Sequence, residues 1–298
     1  MKPAHLIVPA LFLFATTALA ELPDHDPVPG GVALVELDGD ADDLREVRYR
    51  DRPALVVRDK DRPVAILGIA LDADTGTHEF RTIAEDGESR VHEFEVGDRD
   101  YGESRITIED ERMVTPAEED LDRIAEDREE INAAIAHRSE RSPETLSFEL
   151  PIEDVETSPF GRQRYINDEP RNPHSGTDIR GDEDTAIYAP APGEVIETGD
   201  YYFNGKTVFV DHGSGLISMF AHMSRIDVEP GQEVDTGTEL GRAGSTGRVT
   251  GPHLHWTVAL NGALVNPRLF VADESPLEGD DKAEEDSQES EGSTDAHP

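Results

Sequence analysis

From Gly31 to Val271 the apolar residues fall in short runs, alternating or β-branched, broken every few positions by Gly, Pro, Asp or Asn. A half-buried strand needs that period of two, and the breakers supply its turns. Val32 to Leu37, Ala54 to Val57, Val64 to Leu71, Arg90 to Val96 and Arg105 to Ile108 predict a small antiparallel β domain over residues 31–112. Residues 185–196, 206–211, 216–222 and 253–265 predict strands of a second β domain over 146–272. The sharpest local signal is His253 to Leu260, then Asn261-Gly262, then Ala263 to Val265, a hairpin with a type I′ turn. Between the two domains Leu121, Ile124, Ile131, Ala134 and Ile135 recur at helical spacing. Thr115-Pro116-Ala117-Glu118 predicts an N-cap, a proline in the first turn and a capping-box glutamate, and Arg141-Ser142-Pro143 ends a connector spanning 113–145. The expected fold is mainly β: a small N-terminal antiparallel β domain, a connecting helix and a C-terminal antiparallel β domain.

The two ends read differently. Lys2, the apolar stretch Leu6 to Phe14 and Ala18-Leu19-Ala20 before Glu21 match a secretory signal peptide over 1–20. This predicts export across the inner membrane, a periplasmic location and no transmembrane anchor in the mature chain. Residues 21–30 read as a Pro- and Gly-rich linker, and 273–298 as an acidic, Ser-rich, disordered tail. The whole chain carries 66 acidic and 27 basic side chains, a formal charge of −39. That balance argues against a nucleic-acid partner and against a basic membrane-surface helix. Only Lys2, Lys60, Lys206 and Lys282 are lysines. A carboxylate-rich, lysine-poor surface suits a salty environment, with ordinary surface charge as the alternative. The absence of cysteine excludes disulfides, thiol catalysis, cysteine-ligated zinc and a lipidated N-terminal cysteine.

The eleven histidines carry the functional information. His174-Ser175-Gly176-Thr177-Asp178 sets an imidazole and a carboxylate four residues apart. His253 and His255 share one face of a predicted strand while Leu254 and Trp256 take the other. His222 ends another apolar run and is placed to converge on them. Two imidazoles and one carboxylate make a hydrolytic zinc site with a fourth position left for water. Spacing alone leaves open a pair of polar residues on a solvated strand. His78 and His92 of the first domain belong to no such cluster.

The stretch from Phe160 to Pro267 resembles the lysostaphin-type (LytM, M23) zinc metallopeptidases. The matching residues are Phe160-Gly161-Arg162, His174 to Asp178, Tyr188-Ala-Pro-Ala-Pro-Gly193, His212-Gly-Ser-Gly215, Phe220-Ala-His222-Met223, Gly244-Ser-Thr-Gly247 and Thr250-Gly-Pro-His253-Leu-His255-Trp256. The upstream β segment and helix resemble the N-terminal region of Gram-negative members. The resemblance implies a compact antiparallel β domain with an open groove, and one Zn2+ per chain held by His174, Asp178 and His255. It implies His253 as general base on a zinc-bound water, with His222 orienting that water or stabilising the tetrahedral intermediate. The activity implied is that of a secreted zinc metalloendopeptidase that hydrolyses peptide cross-bridges of bacterial peptidoglycan. Some members have lost zinc ligands and act as silent scaffolds that bind cell wall or activate an amidase. All five positions are occupied here, which favours the enzyme. Arg162, Arg164 and Arg171 are candidates for substrate carboxylates, with internal ion pairs as the alternative. His212, in a tight turn, reads as structural and Trp256 as core. Val228 to Gly241 has the turn pattern of a carrier hairpin, but no lysine lies there to accept a cofactor. The bond cut, any regulatory partner, the oligomeric state and the N-terminal domain's role, as cover or as targeting module, stay open.

Overall fold

The computed structural model describes residues 21–39, 43–60, 62–153 and 156–272. The predicted signal peptide (1–20) and acidic tail (273–298) lie outside the described residues. Among the described residues, no helix is long and apolar enough to cross a membrane.

The N-terminal part holds eight strands: β1 (Val32–Glu36), β2 (Leu44–Tyr49), β3 (Arg52–Pro53), β4 (Leu55–Asp59), β5 (Arg62–Gly68), β6 (Gly76–Ala84), β7 (Ser89–Val96) and β8 (Glu103–Ile106). They form a three-stranded sheet β1-β5-β4 and a four-stranded sheet β3-β2-β6-β7. β8 joins neither. In β5 six of the seven residues are buried, because the strand is covered on both faces. Ala65 and Leu67 pack with Val47, Tyr49, Phe80 and Val96 of the four-stranded sheet. Ile66, with Val32 and Leu55, packs instead with Trp256, Val258, Leu260 and Leu269 of the C-terminal domain. Alternation along a strand therefore shares one sheet between two cores. Residues 21–30, expected as a linker, are packed: Asp24 N donates to Leu269 O at 2.7 Å and Gly30 N to Ile69 O at 3.0 Å.

The connector starts with the short helix α1 (Glu111–Val114) and continues as α2 (Leu121–Ile135). The expected cap at Thr115 does not form. Ala117 is extended, at φ −69° and ψ 156°, and a 3-10 turn over Glu118–Asp120 leads into α2. Asp120, at the N-cap position, makes no capping bond. Its carboxylate instead accepts from Arg112 Nη2 at 2.7 Å and from Tyr202 OH at 3.2 Å. Tertiary ion pairing thus displaces the local cap. Ile131, Ala134 and Ile135 pack on Tyr201, Phe209, Ile217 and Met219, whereas Leu121 stays 50% exposed.

The C-terminal domain adds β9 (Glu156–Ser158), β10 (Gln163–Ile166), β11 (Glu169–Pro170), β12 (Thr177–Arg180), β13 (Ala186–Tyr188), β14 (Gly193–Tyr201), β15 (Gly205–Gly213), β16 (Leu216–Ile226), β17 (Glu233–Val234), β18 (Glu239–Ala243), β19 (His253–Leu260) and β20 (Ala263–Val265). Its main sheet runs β17-β14-β15-β16-β19-β12-β9, with β18 on β16 and β13, and β20 on β19. The β19–β20 turn has Asn261 at φ 54° and Gly262 at φ 74°, the positive pair that a type I′ turn requires. β8 pairs in parallel with β10, and β10 with β11, so the last N-terminal strand belongs structurally to the C-terminal domain.

Candidate metal centre and its cleft

The register between β12 and β19 assembles the core of the site. Asp178 stands directly opposite His255, and cross-strand partners share a face. Asp178 Oδ1 lies 2.7 Å from His255 Nδ1, and on the other side 3.0 Å from His174 Nε2. His174 Nε2 and His255 Nδ1 are 3.1 Å apart. All three residues are buried, and their ligand atoms converge within 4.8 Å of one another. Donors on a tetrahedron with bonds of about 2.0–2.1 Å lie roughly 3.3–3.4 Å apart, so this set suits zinc with a small outward relaxation. The remaining ring nitrogens have partners of their own. His174 Nδ1 is 3.0 Å from Pro159 O, and His255 Nε2 is 3.0 Å from Thr257 Oγ1. A carbonyl at Nδ1 fixes the His174 tautomer with Nε2 free to ligate.

Burial alone would raise the Asp178 carboxyl, but the hydrogen bonds and charge of His174 and His255 outweigh it and hold it well below the usual carboxylate range. Burial pushes His255 down to about 4, against the pull of Asp178. Arg164, from β10, donates Nη2 to Asp178 Oδ2 at 2.9 Å. The carboxylate therefore keeps one oxygen for the imidazoles and one for the guanidinium.

Two further imidazoles flank this triad. His253 Nε2 sits 3.8 Å from Asp178 Oδ1, and its Nδ1 donates to Gly251 O at 2.9 Å. His222 reaches the site by an irregularity in β16. Ala221 is opposite His255, and strict alternation would send the next side chain to the core face. A break in register against β15, between Phe220 and Met223, and a left-handed backbone at φ 65° turn His222 back to the His255 side. Its ring lies 4.9 Å from that of His253 and 5.9 Å from that of His255. His222 Nδ1 donates to Thr246 O at 2.9 Å, which leaves Nε2 unprotonated. Burial, then the positive charge of His255 and His253, pushes this imidazole down to about 3. Thr246 is itself fixed, donating to Met223 O at 2.8 Å and accepting from Lys206 N at 3.0 Å. The Gly244–Gly247 stretch thus orients a histidine, a role its sequence does not announce.

A cleft of 360 Å3 opens beside Asp178, His222 and His253. Arg162, Arg164 and Arg248 line it, and Ser104, Ile106 and Ile108, around β8, form one wall. That wall is latched by Asn167, whose Oδ1 accepts from Ile108 N at 2.9 Å. Arg171 is not part of the lining and pairs with Glu169 at 2.8 Å. His212 is buried away from the cleft, 2.9 Å from Pro192 O and 2.9 Å from Ser218 Oγ, and Trp256 is fully buried.

Residues 172–267 match the family described as Peptidase family M23, and 25–99 match its N-terminal domain. A solved structure of a Pseudomonas aeruginosa peptidase M23 is 41% identical, with a TM-score of 0.71, over 83% of this chain and 96% of that one. The chain belongs to peptidase family M23. Two curated relatives match over a shorter part of the chain. The peptidoglycan DD-endopeptidase ShyA of Vibrio cholerae is 39% identical over 32% of this chain and 22% of its own length. The DD-carboxypeptidase/endopeptidase Mpg of Neisseria meningitidis is 34% identical over 43% of this chain and 29% of its own. The match spans less than a third of either curated relative.

Proposed function

We infer that this chain is a zinc metalloendopeptidase of the cell envelope that hydrolyses peptide cross-bridges of peptidoglycan. The observation that carries the reading is the buried His174–Asp178–His255 set with the His222 and His253 imidazoles on its open side. The DD-endopeptidase names of ShyA and Mpg support the substrate class. The signal peptide expected over 1–20 supports a periplasmic location.

His174 Nε2, Asp178 Oδ1 and His255 Nδ1 would hold the zinc. Bound there, the ion supplies Lewis-acid polarisation of a peptide carbonyl and a lowered pKa for water. His253 is the general base. Its Nδ1–H is engaged by Gly251 O, so Nε2 is free to take the proton of the attacking water and pass it to the leaving amine. His222 Nε2, held unprotonated, faces the same space and can accept from the attacking water and so orient it. Arg162 lines the cleft where the peptide would lie.

The test is mature protein on isolated sacculi with and without a chelator, the products read by mass. New amines at cross-bridge peptides, lost with chelator, are expected. Folded, zinc-loaded protein that releases nothing would overturn the enzyme in favour of a scaffold. The roles separate by substitution: His255→Ala should abolish zinc retention, whereas His253→Ala should keep zinc and lose turnover by about 100-fold or more. Equal metal loss in both would refute this division.

A further inference from the structure

The cleft has the opposite charge to the chain around it. Its lining contains three arginines and one carboxylate, in a protein of formal charge −39. That carboxylate, Asp178, is already taken by Arg164 and the histidines. Arg162 and Arg248 have no ion pair among the described residues, although carboxylates outnumber basic groups by more than two to one. Arg248 is also held in place. Its backbone N donates to Phe203 O at 2.9 Å, its guanidinium stacks 4.3 Å above the Phe203 ring, and Nη1 reaches only Met113 O, at 3.5 Å. Burial and the nearby charges of Arg164 and Arg171 push this guanidinium below its ordinary pKa, which marks a site short of negative charge. A half-buried, oriented guanidinium without an anion is suited to a bidentate carboxylate brought by a ligand.

We propose that Arg162 and Arg248 bind a free carboxylate of the peptide substrate, so that the chain selects cross-linked peptides that are acidic close to the scissile bond. The proposal rests on the peptidase reading above. Its physical purpose is clear from the field of the whole molecule. A chain of −39 repels acidic peptides at long range, and the cleft arginines reverse that sign where the peptide enters.

The probe is a cross-linked muropeptide dimer and the same dimer with every free carboxylate converted to carboxamide. Binding of each to the full chain is measured by calorimetry with chelator present, so that neither is consumed. Cleavage of each by the zinc-loaded chain is measured separately. The acid dimer should bind at least about tenfold more tightly than the amide, and Arg162→Gln and Arg248→Gln should each shrink that gap. The amidation arm uses the unaltered protein and does not depend on any variant folding. Equal binding of both dimers, with both cut, would overturn the carboxylate site and leave the peptidase standing. Loss of both dimers' binding on Arg248→Gln would assign that residue to structure alone and overturn its part. Neither dimer bound nor cut would overturn this proposal and the peptidase reading together.

Discussion

Arg164 donates to Asp178 Oδ2 and leaves Oδ1 facing His174 and His255, so the Asp178 carboxylate is held in a single orientation. Sequence could offer Arg164 only two roles, substrate contact or internal ion pair; the coordinates choose the ion pair. Arg164→Gln frees the carboxylate to rotate and should weaken zinc binding about 10- to 100-fold, read by competition with a chelating indicator. Unchanged affinity would show that packing, not this bond, orients Asp178. The imidazoles were legible as metal-type residues because His-x-x-x-Asp and His-x-His are visible in one dimension. The left-handed turn that aims His222 was not, since a non-glycine at φ 65° is held by surrounding structure and leaves no mark in the residue type.

At the scale of elements, many strands lie where the sequence places them, but the run 185–196 divides into β13 and β14, and the helix does not start at the expected cap. Strand periodicity and an Asn-Gly turn are local properties of the chain, and β19–β20 forms where those signals place it. A cap competes with any other partner of the same carboxylate, and at Asp120 the partners are Arg112 and Tyr202. β5 shows the same limit: its near-continuous apolar run says that both faces are covered, without saying by what. Gly68 ends β5 so close to β19 that an added Cβ would sit 2.5 Å from Leu260 O. Gly68→Ala should therefore destabilise the fold by about 1–3 kcal/mol in chemical denaturation, by prising the shared sheet from the C-terminal domain. Gly97→Ala is the control, since its Cβ would meet nothing nearer than 3.7 Å. If both cost the same, the contact at Gly68 is not what matters.

For the whole molecule, charge sets the behaviour. With −39 on one chain, self-repulsion opposes compactness, and raising salt from about 0.05 M to about 1 M contracts screening from roughly 14 Å to about 3 Å. The thermal midpoint should rise across that range. A midpoint that stays flat would remove the motive for reading the acidity as adaptation to salt. The two β domains expected from sequence share a sheet, and residues 103–108, expected in the first, wall the cleft of the second. By itself the sequence determined the β class, many of the strand positions, the Asn261-Gly262 hairpin and the family with its metal-type residues, because each is written in local pattern or in ordered motifs. Only the tertiary structure decided that Arg164 serves Asp178, that a bulge turns His222 toward the cleft, and that Arg248 lines the cleft without an anion. These depend on which strands become neighbours and in what register, and such long-range contacts are set by the packing of the whole core.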